Sequence, residues 1–573
     1  MTTGSQGSTA AEGRGPRLLA ALSSRACLAA ILAVAAVLRV AHVLALRPLP
    51  LFDRLIIDSE LYDAWAQRVA AGDWLSEVLG RPFYMDPLYP YFLGVVYGTV
   101  GRDLLVVRLL QVAMGVATCW LVARLATRLD GPLAGNVGAA LLAAFGPSIF
   151  QEGEFEKTAL GVLLATGALV LFLRDGWRPR LAAGALLGLA ALTRGNILLL
   201  GAAGVAYLLV LRAPRAALAF AGGAALVLAP VTARNVVVGG EWVLAGAGAG
   251  QNLYTGNNPA NPDGAYHSVP FARPQTAHEE GDFLAEAERR TGRKLTAREA
   301  SAFWTRETLR HVAAQPAFAA GVLARKVALF WSDVEVADAW EMGFVAGFSP
   351  VLRLPLVSFA VLLGLAVLGV AAAARSREGR IVLAYVLLYA ASVIAFFIFS
   401  RYRLHVAPPL AALAGVGVVS AARRAAAGGW RALPWPALAL AVAVGGASMA
   451  SFPARRAPSV GNHAMLAEMY QERGDFVRAR RILGDALALD PSAASTLCAL
   501  GTLELRSGDA ARALEHARRC VQVNPVFPDG WYLVGLALEA SGEPQQAMAA
   551  HRRQLAIVPG HELARARLAL LAR

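Results

Sequence analysis

The sequence predicts an all-α protein in two parts: a polytopic membrane domain of about eleven spans, then an α-solenoid of helical hairpins. Three observations carry this. Of 573 residues, 57% are hydrophobic and only 16% charged, too apolar for an ordinary soluble chain. Apolar segments of bilayer length recur between residues 26 and 450. Past residue 452, glycine, alanine and proline return at a fixed interval.

Residues 1–25 open polar and Gly/Ser/Arg-rich and read as a disordered cytoplasmic N-terminus. The apolar stretch after it is too long for a signal-peptide core and reads as an uncleaved first span. Apolar segments then lie near 26–45, 104–124, 133–150, 158–174, 180–194, 196–212, 216–232, 352–374, 381–399, 404–422 and 433–450. Arginines mark every second connection. Arg14, Arg17 and Arg25 precede the first span, and Arg124 and Arg128 follow the second. Arg174, Arg178 and Arg180 follow the fourth, and Arg212 and Arg215 the sixth. Arg375, Arg377 and Arg380 follow the eighth, and Arg423, Arg424 and Arg431 the tenth. The positive-inside rule puts all six groups in the cytoplasm. "PLYPYFLGVVYGTVG" (Pro87–Gly101) then reads as an interfacial helix rather than a span. The expected membrane domain is 26–451, with outer loops at 46–103 and 233–351. The localisation expected is a bacterial inner membrane with the tail outside.

Residues 452–573 repeat with period 34. Gly474, Gly508 and Gly542 keep that spacing, as do Ala479, Ala513 and Ala547, and Pro491, Pro525 and Pro559. Glycine at the hairpin turn, alanine at the close crossing and proline after the second helix form the tetratricopeptide (TPR) pattern. Three repeats span about 460–561, and "HELARARLALLAR" caps them. Such arrays hold proteins or peptides in a groove and do no chemistry.

The net charge of +14 does not mark a nucleic-acid binder. From residue 460 onward there are 13 Arg against 12 Asp or Glu, so the basic excess belongs to the membrane loops. Of the four cysteines, Cys27 and Cys119 sit in apolar spans, whereas Cys498 and Cys520 lie 22 apart in the tail. That pair could form a disulfide if the tail is outside the cytoplasm.

Chemistry has three places to reside, all expected on the outer face. The first loop reads "LIIDSELYDAWAQRVAAGDW", with Asp58, Glu60 and Asp63 just beyond the first span. Asp58 and Tyr62 are four apart and share a helix face. Asp58 and Glu60, separated by Ser59, are the pair suited to a divalent metal; no His/Cys ligand cluster exists. The second loop, "FQEGEFEKTAL", supplies Glu152, Glu154, Glu156 and Lys157. The third place is "FFIFSRYRLHVAPPL", where Arg401, Tyr402 and Arg403 stand on the side that otherwise lacks arginine. Charge at a span end faces water, snorkels or binds an anion. A carboxylate there can deprotonate a hydroxyl while a cation neutralises a phosphate leaving group. Arg194, at another span end, could assist the phosphate, whereas Arg39, mid-span beside His42, reads as structural.

These elements resemble the GT-C membrane glycosyltransferases, especially the branch of protein O-mannosyltransferases and lipid A aminoarabinose transferases. The resemblance rests on "DSELYDAWAQRVAAGDW", the Pro-aromatic "DPLYPYFLG", an acid in the next outer loop, and the R-Y-R-x-x-x-x-P element of Arg401, Tyr402, Arg403 and Pro408. It covers about residues 20–450. It implies a GT-C-like fold, a polyprenyl-phosphate-linked sugar as donor, and inversion with Asp58 as base. It further implies that Glu154 or Glu156 positions a substrate and that Arg401 and Arg403 hold the donor phosphate. The remaining expected substrate-binding residues are Glu60, Tyr62, Lys157, Arg194 and Tyr402. Where some relatives carry Lys before the Pro-aromatic stretch this chain has Asp86, so that a phosphate contact is either missing or supplied by Lys157 instead. The expected partners are the lipid-linked sugar, membrane lipid, and a protein or glycan acceptor held in the TPR groove. Two other classes fit parts of the pattern: a surface-polysaccharide polymerase or ligase, and a non-enzymatic membrane-anchored TPR scaffold. Transport fits poorly, because the polar residues gather at one face rather than at the midplane.

Overall fold

A computed structural model describes residues 14–76, 80–273, 276–432, 434–450 and 460–572, and among these every named element is helical. The chain divides into two compact units. One holds Met1–Arg47, Leu55–Met342 and Ala346–Arg456; the other holds Ala457–Arg573 with the short segments Pro48–Arg54 and Gly343–Val345.

In the first unit, α1 (Arg14–Leu22) is helical where the sequence reading expects disorder up to residue 25. Its run of leucine and alanine has the propensity to continue a helix; residues 1–13 lie outside the described residues. The membrane helix α2 (Arg25–Leu46) starts at Ser24, whose hydroxyl accepts from the Cys27 N–H. Next come α3 (Asp58–Ala70), α4 (Leu88–Val100), α5 (Leu104–Asp130), α6 (Pro132–Ala143), α7 (Gly146–Gly153) and α8 (Thr158–Phe172). The helices α9 (Trp177–Ala191), α10 (Leu198–Val210) and α11 (Pro214–Val237) complete the first half.

Small residues decide how these helices meet. A Cβ on Gly184 would lie 1.9 Å from the Phe220 carbonyl oxygen, and one on Gly223 would lie 2.0 Å from that of Leu181. The backbones of α9 and α11 therefore touch, as small residues permit where lipid offers no hydrophobic drive.

The long loop from 233 to 351 is a helical layer: α12 (Ala249–Asn257), α13 (Thr276–Thr291), α14 (Ala297–Ala314) and α15 (Pro316–Trp331). Its core is aromatic. Phe271 stacks on Trp304 at 5.1 Å, and Phe283 meets Trp304 edge-on at 5.2 Å. Helix α14 opens with a capping box between Thr296 and Glu299. The chain bends by 108° where Pro316 begins α15.

The second half holds α16 (Phe359–Ala373), α17 (Arg377–Ile394), α18 (Ser400–Arg403), α19 (Ala407–Gly428) and α20 (Trp435–Ala450). Between α17 and α18 the chain is extended: the Ile398 N–H donates to the Gly264 carbonyl and the Ser400 N–H to that of Val336. This stretch ties the loop layer to the helices. Among the described residues, four helices, α2, α5, α11 and α19, are long and apolar enough to cross a membrane, and the bent pair α14–α15 passes the same test together. Shorter apolar helices of 10–17 residues, α4, α6, α8 and α16 among them, accompany them.

The second unit pairs α21 (Val460–Glu472) with α22 (Phe476–Leu489), α23 (Ala494–Arg506) with α24 (Ala510–Val523), and α25 (Gly530–Ala540) with α26 (Pro544–Ile557). A closing helix, α27 (Glu562–Leu571), follows. Gly474, Gly508 and Gly542 turn each hairpin at φ of +76°, +87° and +77°, a region that favours glycine. Ala479, Ala513 and Ala547 are fully buried at the crossings. Asp475 and Asp509 cap their helices by accepting from the N–H three residues on. Cys498 and Cys520 form a disulfide joining α23 to α24.

Candidate active site

Arg401 is buried at the centre of three carboxylates. Its Nη2 lies 2.9 Å from Asp58 Oδ2 and 3.0 Å from Asp338 Oδ2, and its Nη1 lies 2.6 Å from Glu156 Oε1. Each acid arrives on a different element: Asp58 on the first turn of α3, Glu156 in the turn before α8, and Asp338 in the segment after α15. Ile57, just before α3, has φ +55° and ψ −125°, a conformation costly for a β-branched residue. The sharp reversal it makes sets Asp58 at the helix start, where the dipole favours a carboxylate.

One guanidinium cannot neutralise three acids. Burial pushes the Asp338 carboxyl up to about 7; Asp58 and Glu156 add to this, and Arg401 opposes it. Glu156 is also raised, by burial first and then against the pull of Arg401. Glu279 on α13 is pushed up to about 7 by burial, with the charge of Asp58 adding to it. The site is thus acid-rich and holds part of its charge as protons near neutrality.

Around the cluster stand groups able to bind a substrate. The Tyr62 hydroxyl, one turn after Asp58, is buried with no partner among the described residues, and its ring meets Tyr89 edge-on at 5.4 Å. Lys157 Nζ lies 5.7 Å from the centre of the Tyr62 ring and 3.4 Å from Asp86 Oδ2. The Arg194 guanidinium sits 3.7 Å over the Tyr402 ring, and its buried Nε has no partner among the described residues. Arg401 faces the same ring at 5.5 Å.

The structure separates residues that the sequence grouped. Glu152, Glu154 and Glu156 go to three different places. Glu152 pairs with Arg39 at 2.5 Å, inside a network where Arg39 also donates to the Ala143 carbonyl. Burial pushes Glu154 up to about 8, with Arg108 pulling the other way. Only Glu156 of the three reaches Arg401. Gln111 ties this loop down, donating to the Glu152 and Glu154 carbonyls.

Three expectations need correction. Glu60 does not pair with Asp58 to hold a metal: it is exposed, because two residues along a helix turn a side chain to nearly the opposite side. The acids whose oxygens come within 4.8 Å of one another are Asp58, Glu156 and Asp338. Their oxygens suit a hard divalent ion, but Arg401 already pairs with all three. Arg403 does not share the role of Arg401. Its guanidinium donates to the Ser332 and Val334 carbonyls and to Glu335 at 2.9 Å, so it fastens the segment that carries Asp338. Arg401, expected to hold a phosphate, turns Nη1 and Nη2 to carboxylates, while its buried Nε has no partner among the described residues. Asp338 itself was missed. Its only sequence signal is the acid-rich "SDVEVADAW" after α15, which matches no spacing rule.

Residues 81–234 match the family model described as dolichyl-phosphate-mannose-protein mannosyltransferase. A TPR repeat-containing protein of Pseudomonas aeruginosa is 42% identical over 62 residues, which is 11% of this chain and 59% of that protein. The chain therefore spans less than two thirds of that relative. Among solved structures, ArnT from Cupriavidus metallidurans bound to undecaprenyl phosphate matches with 15% identity over 91% of this chain and 79% of that one, at a TM-score of 0.40. The Archaeoglobus fulgidus oligosaccharyltransferase tethered with an acceptor peptide matches with 15% identity over 74% and 54%, at 0.36. MamA matches with 25% identity over 20% of this chain and 66% of that one, at 0.19. Over residues 81–234 the chain is thus similar to the dolichyl-phosphate-mannose-protein mannosyltransferases, and its tail is a TPR array.

Proposed function

We propose that the protein is an inverting membrane glycosyltransferase that moves a sugar from a polyprenyl-phosphate-linked donor to an acceptor hydroxyl, with Asp58 as base. The observation that carries this reading is the buried contact of Asp58 with Arg401, held beside Glu156 and Asp338 and ringed by partly unpaired donors. In the step, the acceptor oxygen bonds to the anomeric carbon as the glycosyl–phosphate bond breaks. The acceptor proton passes to Asp58, and polyprenyl phosphate leaves.

Arg401 holds Asp58 and Glu156 in place through Nη2 and Nη1. The leaving phosphate falls to Arg194 and Lys157, which have donor capacity left, and the Tyr62 hydroxyl is placed to bond a sugar or acceptor oxygen. This arrangement stabilises charge where it develops, the largest usual term in group transfer. A divalent ion among the three acids would supply Lewis acidity, and Asp58, Glu156 and Asp338 would hold it once Arg401 moved aside.

The reaction is assigned to the extracytoplasmic face of a bacterial inner membrane, because the positive-inside rule leaves the loops of Asp58, Glu156 and Arg401 outside. The domain limits 26–451 and 452–573 belong to the same reading, as does a protein or glycan acceptor held in the TPR groove. Mass spectrometry of glycans and glycoproteins from a deletion strain tests it. A glycoform should vanish, return with the wild-type gene, and stay absent with Asp58→Asn. An unchanged glycan and glycoprotein profile in the deletion strain would overturn the reading.

A further inference from the structure

At the far end of the first unit from Asp58 lies a cavity of about 480 Å³, within the range of ligand pockets. Helix α8 measures the separation. Its N-terminus adjoins Glu156, and its last turn contributes Leu169 and Phe172 to the cavity wall. Fifteen residues at 1.5 Å each put the two about 22 Å apart. The walls are apolar: Leu187 from α9, Leu200 from α10, Phe220 from α11 and Leu388 from α17 join those of α8.

The charged groups that line the cavity are cationic. Arg377 and Arg380 from the first turn of α17 line its mouth. Arg180, from the first turn of α9, lies 4.4 Å from the Phe172 ring centre. Only 4% of its side chain is exposed, and its buried Nη1 has no partner among the described residues. Compensation is thin. Arg377 donates to the Tyr207 hydroxyl at 3.0 Å, and Arg380 donates to the Ala374 carbonyl. Asp175 stands 4.0 Å from both Arg180 and Arg377, and it is 84% exposed to solvent. Two guanidiniums thus share one wet carboxylate beside an oily cavity, and Arg380 adds a third positive charge at its lining. An unpaired cation N–H held out of water is costly unless an anion completes it.

We infer that this cavity is a binding site for an anionic glycerophospholipid of the surrounding bilayer, with the phosphate on Arg180, Arg377 and Arg380 and an acyl chain against Leu169, Leu200 and Phe220. Basic pockets between membrane helices take phospholipid headgroups in this way. The occupant is not the sugar donor, whose anomeric carbon must reach Asp58 some 22 Å away. The site needs no part of the transfer mechanism, so it stands or falls apart from the proposed activity. Its consequence is a preference for an anionic bilayer, whose lipid fills the space between α8, α9, α10 and α17.

The test is native mass spectrometry of the full-length protein in detergent, titrated with phosphatidylglycerol or phosphatidylcholine. Wild type should retain phosphatidylglycerol about tenfold better than phosphatidylcholine. The triple variant Arg180→Gln, Arg377→Gln, Arg380→Gln should lose that preference, since each juxtamembrane cation is worth severalfold in affinity for anionic lipid. Because removing three charges could impair folding, Ala384→Leu, which enlarges an exposed lining residue of the cavity and leaves every charge in place, provides the second variant. It too should lose retained phosphatidylglycerol while eluting as a monodisperse protein. Equal retention of both lipids by wild type, undiminished retention in folded triple or Ala384→Leu protein, or polyprenyl phosphate binding there in place of phosphatidylglycerol would each overturn the assignment.

Discussion

Arg401 and Asp58, 343 residues apart in sequence, meet in a buried ion pair at 2.9 Å. The contact joins α18 to the first turn of α3. Because Glu156 and Asp338 share the same guanidinium, its removal would leave three neighbouring acids without their common counter-ion.

Replacing Arg401 by Met should therefore destabilise the fold by about 3–5 kcal/mol, the usual result of stripping one partner from a buried pair. Arg401→Lys should fold better but lose activity about tenfold or more, since an ammonium lacks the planar fork that spans several carboxylates. Thermal melts and turnover of both purified proteins check this. A fully active Lys variant would show that the fork geometry is immaterial.

Arg403 should behave differently. Its partners are backbone carbonyls and Glu335, so Arg403→Ala should cost about 1–3 kcal/mol in stability by leaving buried acceptors unpaired. Donor affinity of the folded fraction should stay near wild type. A selective loss of donor binding with an unchanged melting temperature would return Arg403 to the phosphate.

Glu154 gives a pH dependence of known sign. Burial raises its carboxyl from the ordinary 4.5 to about 8, so the folded state binds this proton more tightly than the unfolded one. Its contribution is fully present below about 4.5 and is lost as pH rises towards about 8. Glu154→Gln should flatten that part of the stability profile and leave the protein more stable than wild type at pH 9. Parallel slopes for the two proteins between pH 5 and 8 would contradict the assignment.

The disulfide between Cys498 and Cys520 reports the compartment of the tail, because such bonds persist in oxidising surroundings. Thiol labelling of protein taken directly from cells should find both blocked until reduction. Cys498→Ser should lower the stability of the repeat array by about 3 kcal/mol. Free thiols at both positions in untreated cells would place the tail on the cytoplasmic side.

Much of this was legible in the sequence, and unevenly. The repeat could be read directly, because a 34-residue period fixes its glycines at left-handed turns and its alanines at crossings. Asp58 and Tyr62 followed from helix periodicity. The partition of Glu152, Glu154 and Glu156 did not, because it depends on which arginine each meets across the bundle, and Arg39, Arg108 and Arg401 come from three distant segments. Arg401 and Arg403 look equivalent as a sequence motif. They diverge because α18 is a single turn, and residues two apart in a turn face opposite sides. Asp338 was invisible because nothing local marks it; the folding of a whole helical layer brings it to the site.

The central claim is that Asp58 takes the acceptor proton, and the rate of Asp58→Asn tests it most directly. Sugar transfer from a defined polyprenyl-phosphate donor should be measured with purified wild-type and variant protein, with donor binding followed separately. The account predicts a fall of about 100-fold or more in turnover, in keeping with loss of a general base, while donor affinity stays within about threefold. Wild-type turnover in a correctly folded Asp58→Asn protein would contradict it.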